Sequence, residues 1–139
     1  MERKSINILF AGFMLFIFIL TGCGQGGLPE KFEEEAVKEK SMTAVTYFNE
    51  RNYQGIIDMG SEEFQESITA EQFAEVSDSY LDKCGDYVKM GKTVVLGNTN
   101  GQTGETFGGV VMVGKYDSGQ IQFTIAFNEQ MELVQFIIR

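Results

Sequence analysis

Three aspartates stand four residues apart, at Asp78, Asp82 and Asp86, and such a cluster of carboxylates raises the question of a calcium site. Calcium takes about six to eight oxygens that converge from a loop. This spacing instead places the carboxylates along a helix face and its exit, and the sequence contains no Asp-x-Asp-x-Asp-Gly loop. We therefore expect a solvated face, although like charges at this spacing near a helix C-terminus are mildly destabilising.

Other chemistry is limited by composition, because the 139-residue sequence contains no histidine. This excludes Ser-His-Asp and Cys-His catalysis as well as histidine-ligated metals. The formal net charge of −9 argues against binding to nucleic acid, whose phosphates need a Lys/Arg footprint. The sequence therefore predicts no catalytic residues, no metal ligands and no cofactor.

Four glycines superficially resemble a phosphate-binding loop, at Gly101, Gly104, Gly108 and Gly109. No Gly-Lys-Ser/Thr ending follows them, and the next segment has the pattern of a strand rather than that of a helix. We interpret them as hairpin and strand-bulge glycines.

Cys84 continues an apolar stripe of a predicted helix that also contains Phe73, Val76 and Tyr80. This position favours a small buried hydrophobic residue. A reactive thiol, the alternative, would need a nearby cation to favour the thiolate, and Lys83 is the one neighbour of that kind.

The N-terminus has the features of a secretory signal. Arg3 and Lys4 precede a 15-residue apolar run from Ile6 to Leu20, which is short for a membrane span of about 20 residues and suits a signal-peptide h-region. The run ends in Leu20-Thr21-Gly22-Cys23, which resembles the bacterial lipobox. The resemblance implies a diacylglyceryl group on the Cys23 thiol and cleavage before it, so that residues 1–22 are removed. An uncleaved signal anchor is the alternative.

Lipidation would define the location and the domain boundaries. Each buried CH₂ contributes about 0.8 kcal/mol, so a diacylated Cys23 anchors the protein stably without a transmembrane helix. We expect a lipoprotein on the extracytoplasmic face of the cell membrane. A flexible Gly-rich tether at 23–29 would connect the lipidated cysteine to a single domain at 30–139. Since an acylated Cys23 cannot pair with Cys84, no intramolecular disulfide is expected.

Helical periodicity dominates the first half of the domain. Thr69 and Gln72 match a capping box, and Gly85 ends the helix that the box begins. Ser61 can cap a further turn ahead of it. The three predicted helices cover residues 29–49, 52–60 and 69–85.

From Tyr87 onward the hydrophobic period changes to two, which predicts four strands. The pair Asn100-Gly101 is a hairpin signal. The last strand is apolar on both faces, so it is either central in the sheet and covered on both sides or has a face that forms a dimer interface. The predicted strands cover residues 87–96, 106–116, 120–127 and 131–139.

These elements predict an α+β domain in which three N-terminal helices pack on a curved four-stranded antiparallel sheet. This order is similar to the cone-shaped nuclear transport factor 2-like fold. The segments that carry a more specific resemblance, to the domain-of-unknown-function 3887 family, are Phe48–Tyr53, Ile56-Ile57, Phe64 and Ile68–Phe73. Members of that family are small extracytoplasmic domains, often lipoproteins of Gram-positive bacteria, and the resemblance implies a fold and a location but no activity.

Some enzymes of the nuclear transport factor 2-like fold, such as ketosteroid isomerases, use pocket carboxylates and tyrosines. Asp58, Tyr47 and Tyr53 could approach such a pocket, where burial would have to raise the pKa of the carboxyl group. No residue matches the catalytic patterns of those enzymes, so none is assigned a catalytic role. We therefore expect a non-enzymatic domain that binds a small apolar ligand or an envelope protein, with a pocket enzyme or a homodimer through the outer sheet face as alternatives.

Overall fold

Residues 27–139 are described by a computed structural model, in which helices come first and strands follow. The predicted signal peptide, Cys23 and the start of the predicted tether lie outside the described residues. No helix within 27–139 is long and apolar enough to cross a membrane. The helices are α1 Glu34–Asn49, α2 Tyr53–Asp58, α3 Glu62–Ser67 and α4 Ala70–Cys84, and the strands are β1 Tyr87–Thr99, β2 Thr106–Tyr116, β3 Gly119–Phe127 and β4 Leu133–Ile138.

The part of the chain from residue 27 onward contains four helices, so the prediction of three is wrong by one. The extra turn predicted at Ser61 continues for six residues as α3. The Ser61 hydroxyl accepts the backbone N–H of Phe64 at 3.2 Å, and the extended backbone of Ile68 ends the helix. A cap at each end therefore separates this short helix from α4.

The first helix begins later than predicted. Pro29 and Glu30 form a turn closed by the Phe32 N–H, which donates to the Pro29 carbonyl at 3.0 Å, and α1 starts only at Glu34. Leu28, which the sequence assigned to the tether, packs against the core. The chain is therefore fixed to the domain before its first helix.

The capping box that starts α4 is confirmed. The Gln72 N–H donates to the Thr69 hydroxyl at 3.2 Å, and the Thr69 N–H donates to the Gln72 side chain at 3.0 Å. The apolar stripe is partly wrong, because Val76 is 57% exposed. The buried face of α4 instead consists of Phe73, Ser77 and Leu81, at intervals of four residues.

The four strands form one antiparallel sheet in the order β1-β2-β3-β4, which confirms the predicted meander. In the β1–β2 turn, the side chain of Asn100 accepts the N–H groups of Gln102 and Thr103. The positive φ of this turn, 77°, belongs to Gly104 rather than to Gly101. The predicted hairpin is therefore present, with a longer turn than a two-residue loop.

The last strand is at the edge of the sheet, which rules out the first of the two alternatives for its apolar faces, a central position. Met131, predicted to begin the strand, has a φ of 63° and belongs to the turn. Leu133 donates its N–H to the Met59 carbonyl at 2.9 Å and accepts the Ser61 N–H at 3.0 Å. The segment between α2 and α3 thus covers the start of β4 at Leu133. Further along the strand, Phe136 is buried among core rings and Val134 packs in a second apolar cluster, so residues 133–136 are buried although the strand has one neighbour.

Aromatic rings form the core between the helices and one face of the sheet. Phe48 of α1 contacts Phe123 of β3 edge to face, with ring centroids 5.2 Å apart, and Phe136 of β4 at 5.8 Å. Phe73 of α4 contacts Phe136 at 5.5 Å and stacks on Tyr53 of α2 at 5.2 Å. The two long helices are therefore attached to the sheet through the same few rings.

Glu129 connects three segments at the end of the sheet where β2 begins. Its carboxylate accepts the backbone N–H of Thr106 at 2.9 Å, the Thr106 hydroxyl at 3.0 Å and the ammonium of Lys31 at 3.0 Å. These donors favour the charged form and lower the pKa of Glu129 to about 2, with the Thr106 N–H contributing most. The β3–β4 turn is thereby held against β2.

We expect Glu129 to make the stability of the domain depend on pH between its ordinary pKa of 4.5 and its folded value of about 2. Because the folded pKa is the lower one, the contribution is present above pH 4.5 and is lost as pH falls through 2. Urea unfolding at a series of pH values should show a flatter dependence in this window for Glu129→Gln than for the wild type.

Glu105→Gln is the matched control, because Glu105 is exposed in the β1–β2 turn. Its profile should follow that of the wild type. Equal acid sensitivity of the Glu129→Gln variant and the wild type would contradict the assignment.

Candidate functional site

A cavity of about 350 Å³ opens at the end of the sheet where β1 begins and β2 ends. The C-terminal ends of α1 and α4 form its other walls. Its lining combines charged, amide and aromatic side chains with one leucine and one glycine: Asn49, Arg51, Leu81, Asp82, Gly85, Asp86, Tyr87 and Tyr116.

Arg51 holds two of the three regularly spaced aspartates. It follows α1 with a φ of 59°, in the left-handed region that residues other than glycine rarely adopt. Its guanidinium lies 2.9 Å from the Asp78 carboxylate and 2.8 Å from the Asp82 carboxylate. The hydrogen bond to Asp82 is the largest of the effects that raise the Arg51 pKa. One cation therefore offsets the repulsion between two carboxylates on successive turns of α4.

Tyr53 connects the same ion pair to the core. Its hydroxyl donates to the Asp78 carboxylate at 2.6 Å, so Asp78 accepts from both Tyr53 and Arg51. Burial and then this hydrogen bond raise the pKa of Tyr53 well above its ordinary value. Asp78 and Tyr53 thus join α2 to α4 beside the cavity, and neither lines it.

Two tyrosines form the sheet side of the cavity. Tyr87 opens β1 and Tyr116 ends β2, and the two residues are register partners whose rings meet edge to face at 5.5 Å. The Tyr116 hydroxyl donates to the Asn49 side chain of α1. Burial raises the pKa of Tyr116 above its ordinary value, so its phenol stays protonated at neutral pH. Tyr87, in contrast, is 36% exposed at the mouth of the cavity.

Asp86 occupies the mouth of the cavity beside Tyr87. The preceding Gly85 has a φ of 79° and ends α4, which turns the chain toward β1. The Asp86 carbonyl accepts the Asp117 N–H at 2.9 Å, which fixes its backbone to the β2–β3 turn. Within residues 27–139 no Lys or Arg nitrogen lies within 4.0 Å of the Asp86 carboxylate.

The structure separates the three aspartates that the sequence grouped. Asp78 and Asp82 remain 43% and 69% exposed, so the expected solvated face is present for them, but both also pair with Arg51, which the sequence did not indicate. Asp86 is exposed as well. No group of three or more Cys, Asp or Glu side chains in the described part of the chain is arranged to hold a metal ion.

The candidate catalytic residues of the sequence do not meet in this cavity. Asp58 is exposed and accepts from the Gln54 side chain at 2.8 Å. Tyr47 is half-buried and contacts the core from α1. The lining includes neither of them, nor Tyr53.

Cys84 and the glycines have structural positions. Cys84 is half-buried and packs against the core, with its sulfur 3.9 Å from the Gln120 carbonyl, so its predicted burial is only partial. Gly101 and Gly104 lie in the β1–β2 turn, which confirms the hairpin prediction. Gly108 and Gly109 lie in β2 in continuous register with both neighbouring strands, so the prediction of a bulge there is wrong.

Five of the lining residues were not singled out from the sequence: Asn49, Arg51, Leu81, Tyr87 and Tyr116. The sequence contains one signal for Arg51. It is the single cation in the short segment between the first two predicted helices, and a later helix carries aspartates at intervals of four residues that could pair with it. The tyrosines come together through strand register, which a hydrophobic pattern does not specify at strand ends.

Comparison with known proteins identifies the family. The model of a family described as a protein of unknown function (DUF3887) matches residues 41–136. The chain belongs to this family. The DUF3887 domain is similar to a protein from Ruminococcus gnavus ATCC 29149 with a solved NMR structure, at 28% identity and a TM-score of 0.72. The match covers 84% of this chain and 99% of that chain. No curated protein matches the chain.

We expect Arg51→Ala to lower the free energy of unfolding of the DUF3887 domain by about 1–2 kcal/mol, because it removes two part-exposed ion pairs and leaves Asp78 and Asp82 uncompensated. Arg51→Gly should be less destabilising than Arg51→Ala by about 1 kcal/mol, because glycine adopts a positive φ without a steric cost. Urea unfolding followed by circular dichroism measures both differences.

The matched control is Arg139→Ala, an exposed arginine that forms no salt bridge within the described residues. Its stability should equal that of the wild type. Identical stabilities of the alanine and glycine variants at position 51 would contradict the backbone argument, and an unchanged Arg51→Ala stability would contradict the ion-pair argument.

Proposed function

We propose that this DUF3887 protein is a lipid-anchored extracytoplasmic domain without enzymatic activity, which binds a small ligand in the cavity between α1, α4, β1 and β2. The binding proposal rests on one observation, that side chains of the cavity wall are held in place by contacts within the protein. Arg51, Asn49 and the Tyr116 hydroxyl already have partners in the protein, so the wall is organised before any ligand arrives. Small-molecule sites are usually pre-formed concave surfaces of this kind.

The polar cavity is a better candidate than the apolar space between the helices and the sheet. Contacting rings of Phe48, Phe73, Phe123 and Phe136 occupy that space. The expectation of a small apolar ligand is therefore replaced in this proposal by a ligand with polar groups. An envelope protein is the other class of partner that the sequence suggests.

The geometry also favours the absence of catalysis over a carboxylate–tyrosine enzyme. The hydrogen-bonded tyrosine–carboxylate pair next to the cavity is Tyr53 and Asp78, and Asp78 also pairs with Arg51. Asp86, which lines the cavity beside Tyr87, is exposed. A general base needs a carboxylate whose pKa is raised by burial without a cationic partner. The exposed Asp58 is not in such an environment either.

The proposal includes a cone-like architecture of the nuclear transport factor 2-like type. The helices contact one face of the sheet, and β-bulges in β1 and between β3 and β4 provide the means to curve it. The anchor rests on the N-terminal sequence: two basic residues, a short apolar run and a lipobox-like Leu20–Cys23.

The anchor is tested by expressing the full chain in a Gram-positive host. We expect the wild type in the membrane fraction, with an N-terminal peptide that begins at Cys23 and carries a diacylglyceryl mass. Cys23→Ser should abolish this modification, whereas Cys84→Ser should retain it as the matched control. A mass spectrum with an unmodified peptide that still contains residues 1–22 would contradict the anchor.

Ligand binding is tested on a soluble form, residues 23–139 carrying Cys23→Ser. The similar solved protein consists almost entirely of the matched region, which is 99% of that chain and 84% of this one. This supports independent folding of the domain. In an NMR screen of small polar fragments, we expect saturable shifts of the Gly85, Asp86 and Tyr87 amides. The amides of turn residues 100–105, at the other end of β1, should not move. Shifts scattered over the whole surface would contradict a defined site.

A second candidate function, an interaction module that dimerises through the outer sheet face, is favoured by Val94. Val95 pairs with the core residue Val110, so Val94 and its partner Val111 point to the face opposite the helices. Val94 is 44% exposed. The exposed valine extends a cluster of Leu96, Phe107, Ala126 and Val134 on the strands around it.

If this face dimerises, Val94→Glu should convert a dimer into a monomer in sedimentation velocity of the soluble form. Val76→Glu is the matched control, because Val76 is also an exposed valine but lies on α4. A monomeric wild type at high concentration would exclude the dimer.

A further inference from the structure

The charge of the end cavity points to the class of ligand. Arg51 is the one cation of the lining, and it is shared between Asp78 and Asp82. The carboxylate of Asp86, at the mouth, has no Lys or Arg nitrogen within 4.0 Å among residues 27–139. These four side chains together leave an excess of negative charge around the cavity, and the whole chain adds to it with a net charge of −9. An anionic ligand is therefore disfavoured.

The two tyrosines of the lining, Tyr87 and Tyr116, favour a ligand that can pack against an aromatic ring. Tyr87 and Tyr116 meet at an interplanar angle of 69° with ring centroids 5.5 Å apart, so they form a corner rather than a flat stack. Tyr87 is the accessible member at the mouth, next to Asp86. A ring face attracts a cation within about 6 Å of its centroid and also packs against the alkyl groups that an organic cation carries.

The size and the chemistry exclude two other ligand classes. A cavity of about 350 Å³ is at the small end of ligand pockets and holds a headgroup-sized molecule. A neutral apolar ligand would take the Asp86 carboxylate out of water without replacing its hydration. A bare metal ion would need converging ligands, and no such group lies among the described residues.

We propose that this cavity binds a small organic cation, an alkylammonium or quaternary ammonium group, with Asp86 and Asp82 facing the charge and Tyr87 packing on the alkyl substituents. This inference rests on the proposed ligand-binding function and specifies its substrate class. Arg51 pairs with Asp78 and Asp82, which leaves Asp86 as the lining carboxylate without a Lys or Arg partner among the described residues and directs the cation to it.

The test is a titration of the soluble form with choline chloride, followed by NMR. Its neutral isostere, 3,3-dimethylbutan-1-ol, is the matched ligand, and sodium chloride at equal ionic strength is the salt control. We expect saturable choline shifts at Gly85, Asp86 and Tyr87 with a Kd on the order of 1 mM, and affinity for the isostere weaker by about tenfold or more.

Two variants separate the charge from the ring. Asp86→Asn and Tyr87→Leu should each weaken choline binding by about tenfold, because one removes the free carboxylate and the other removes the ring face. Glu105→Gln, a carboxylate change in the turn at the other end of β1, should bind choline like the wild type. Unchanged spectra outside the cavity verify that each variant is folded.

Equal affinity for choline and its isostere, or unchanged choline affinity in Asp86→Asn, would overturn the cation inference. If the isostere or acetate produced saturable shifts at the cavity and choline did not, the ligand class would be wrong while the binding function would stand. If no probe in the panel moved the cavity signals, the cation inference would fail together with the proposed ligand-binding role.

Discussion

The contact between Phe48 and the rings of Phe123 and Phe136 is the interaction on which the rest of the structure depends. It fixes α1 to the helix-facing side of β3 and β4. Phe73 joins the same cluster from α4, so both long helices are positioned by one set of aromatic contacts. The ends of these helices form two walls of the cavity, and its geometry is therefore a product of the core.

A polar network links the same helices and strands that the aromatic core packs together. The core brings the end of α1 beside α4, and there Arg51 meets two carboxylates that would otherwise repel each other. Tyr53 and Asn49 connect this network to α2 and to the end of β2. Such partly exposed pairs add little stability individually, so their main effect is to fix the relative positions of elements that the core has already assembled.

The parts of the fold that follow from local signals were predictable from the sequence. The capping box of Thr69 and Gln72 and the alternation of β3 each depend on neighbours along the chain, and both are present in the structure. How β4 is covered was not predictable in this way. Leu133 bonds to the segment after α2 and Phe136 packs on rings of α1 and α4, and these contacts join residues far apart in sequence.

The candidate site was less accessible to sequence reasoning for the same reason. Asp78, Asp82 and Asp86 were visible as a pattern, but their different environments depend on Arg51, which reaches them from a loop 27 residues earlier than Asp78. Tyr87 and Tyr116 are adjacent because of strand register. Neither the Arg51 ion pairs nor the contact between the two tyrosines follows from a local sequence pattern, because each joins residues that are distant in the sequence.

Pro29 packs on Gly97 of β1, and this contact fixes where the chain enters the domain. A Cβ atom at position 97 would collide with the Pro29 ring, so the bare glycine lets the incoming chain lie directly on β1. Gly108, the register partner of Gly97, lies eight residues from Tyr116 along β2, or roughly 27 Å at about 3.4 Å per residue. The polypeptide therefore enters at the opposite pole from the tyrosine corner. Gly27, where the described chain begins, and the cavity are therefore separated by most of the length of β2.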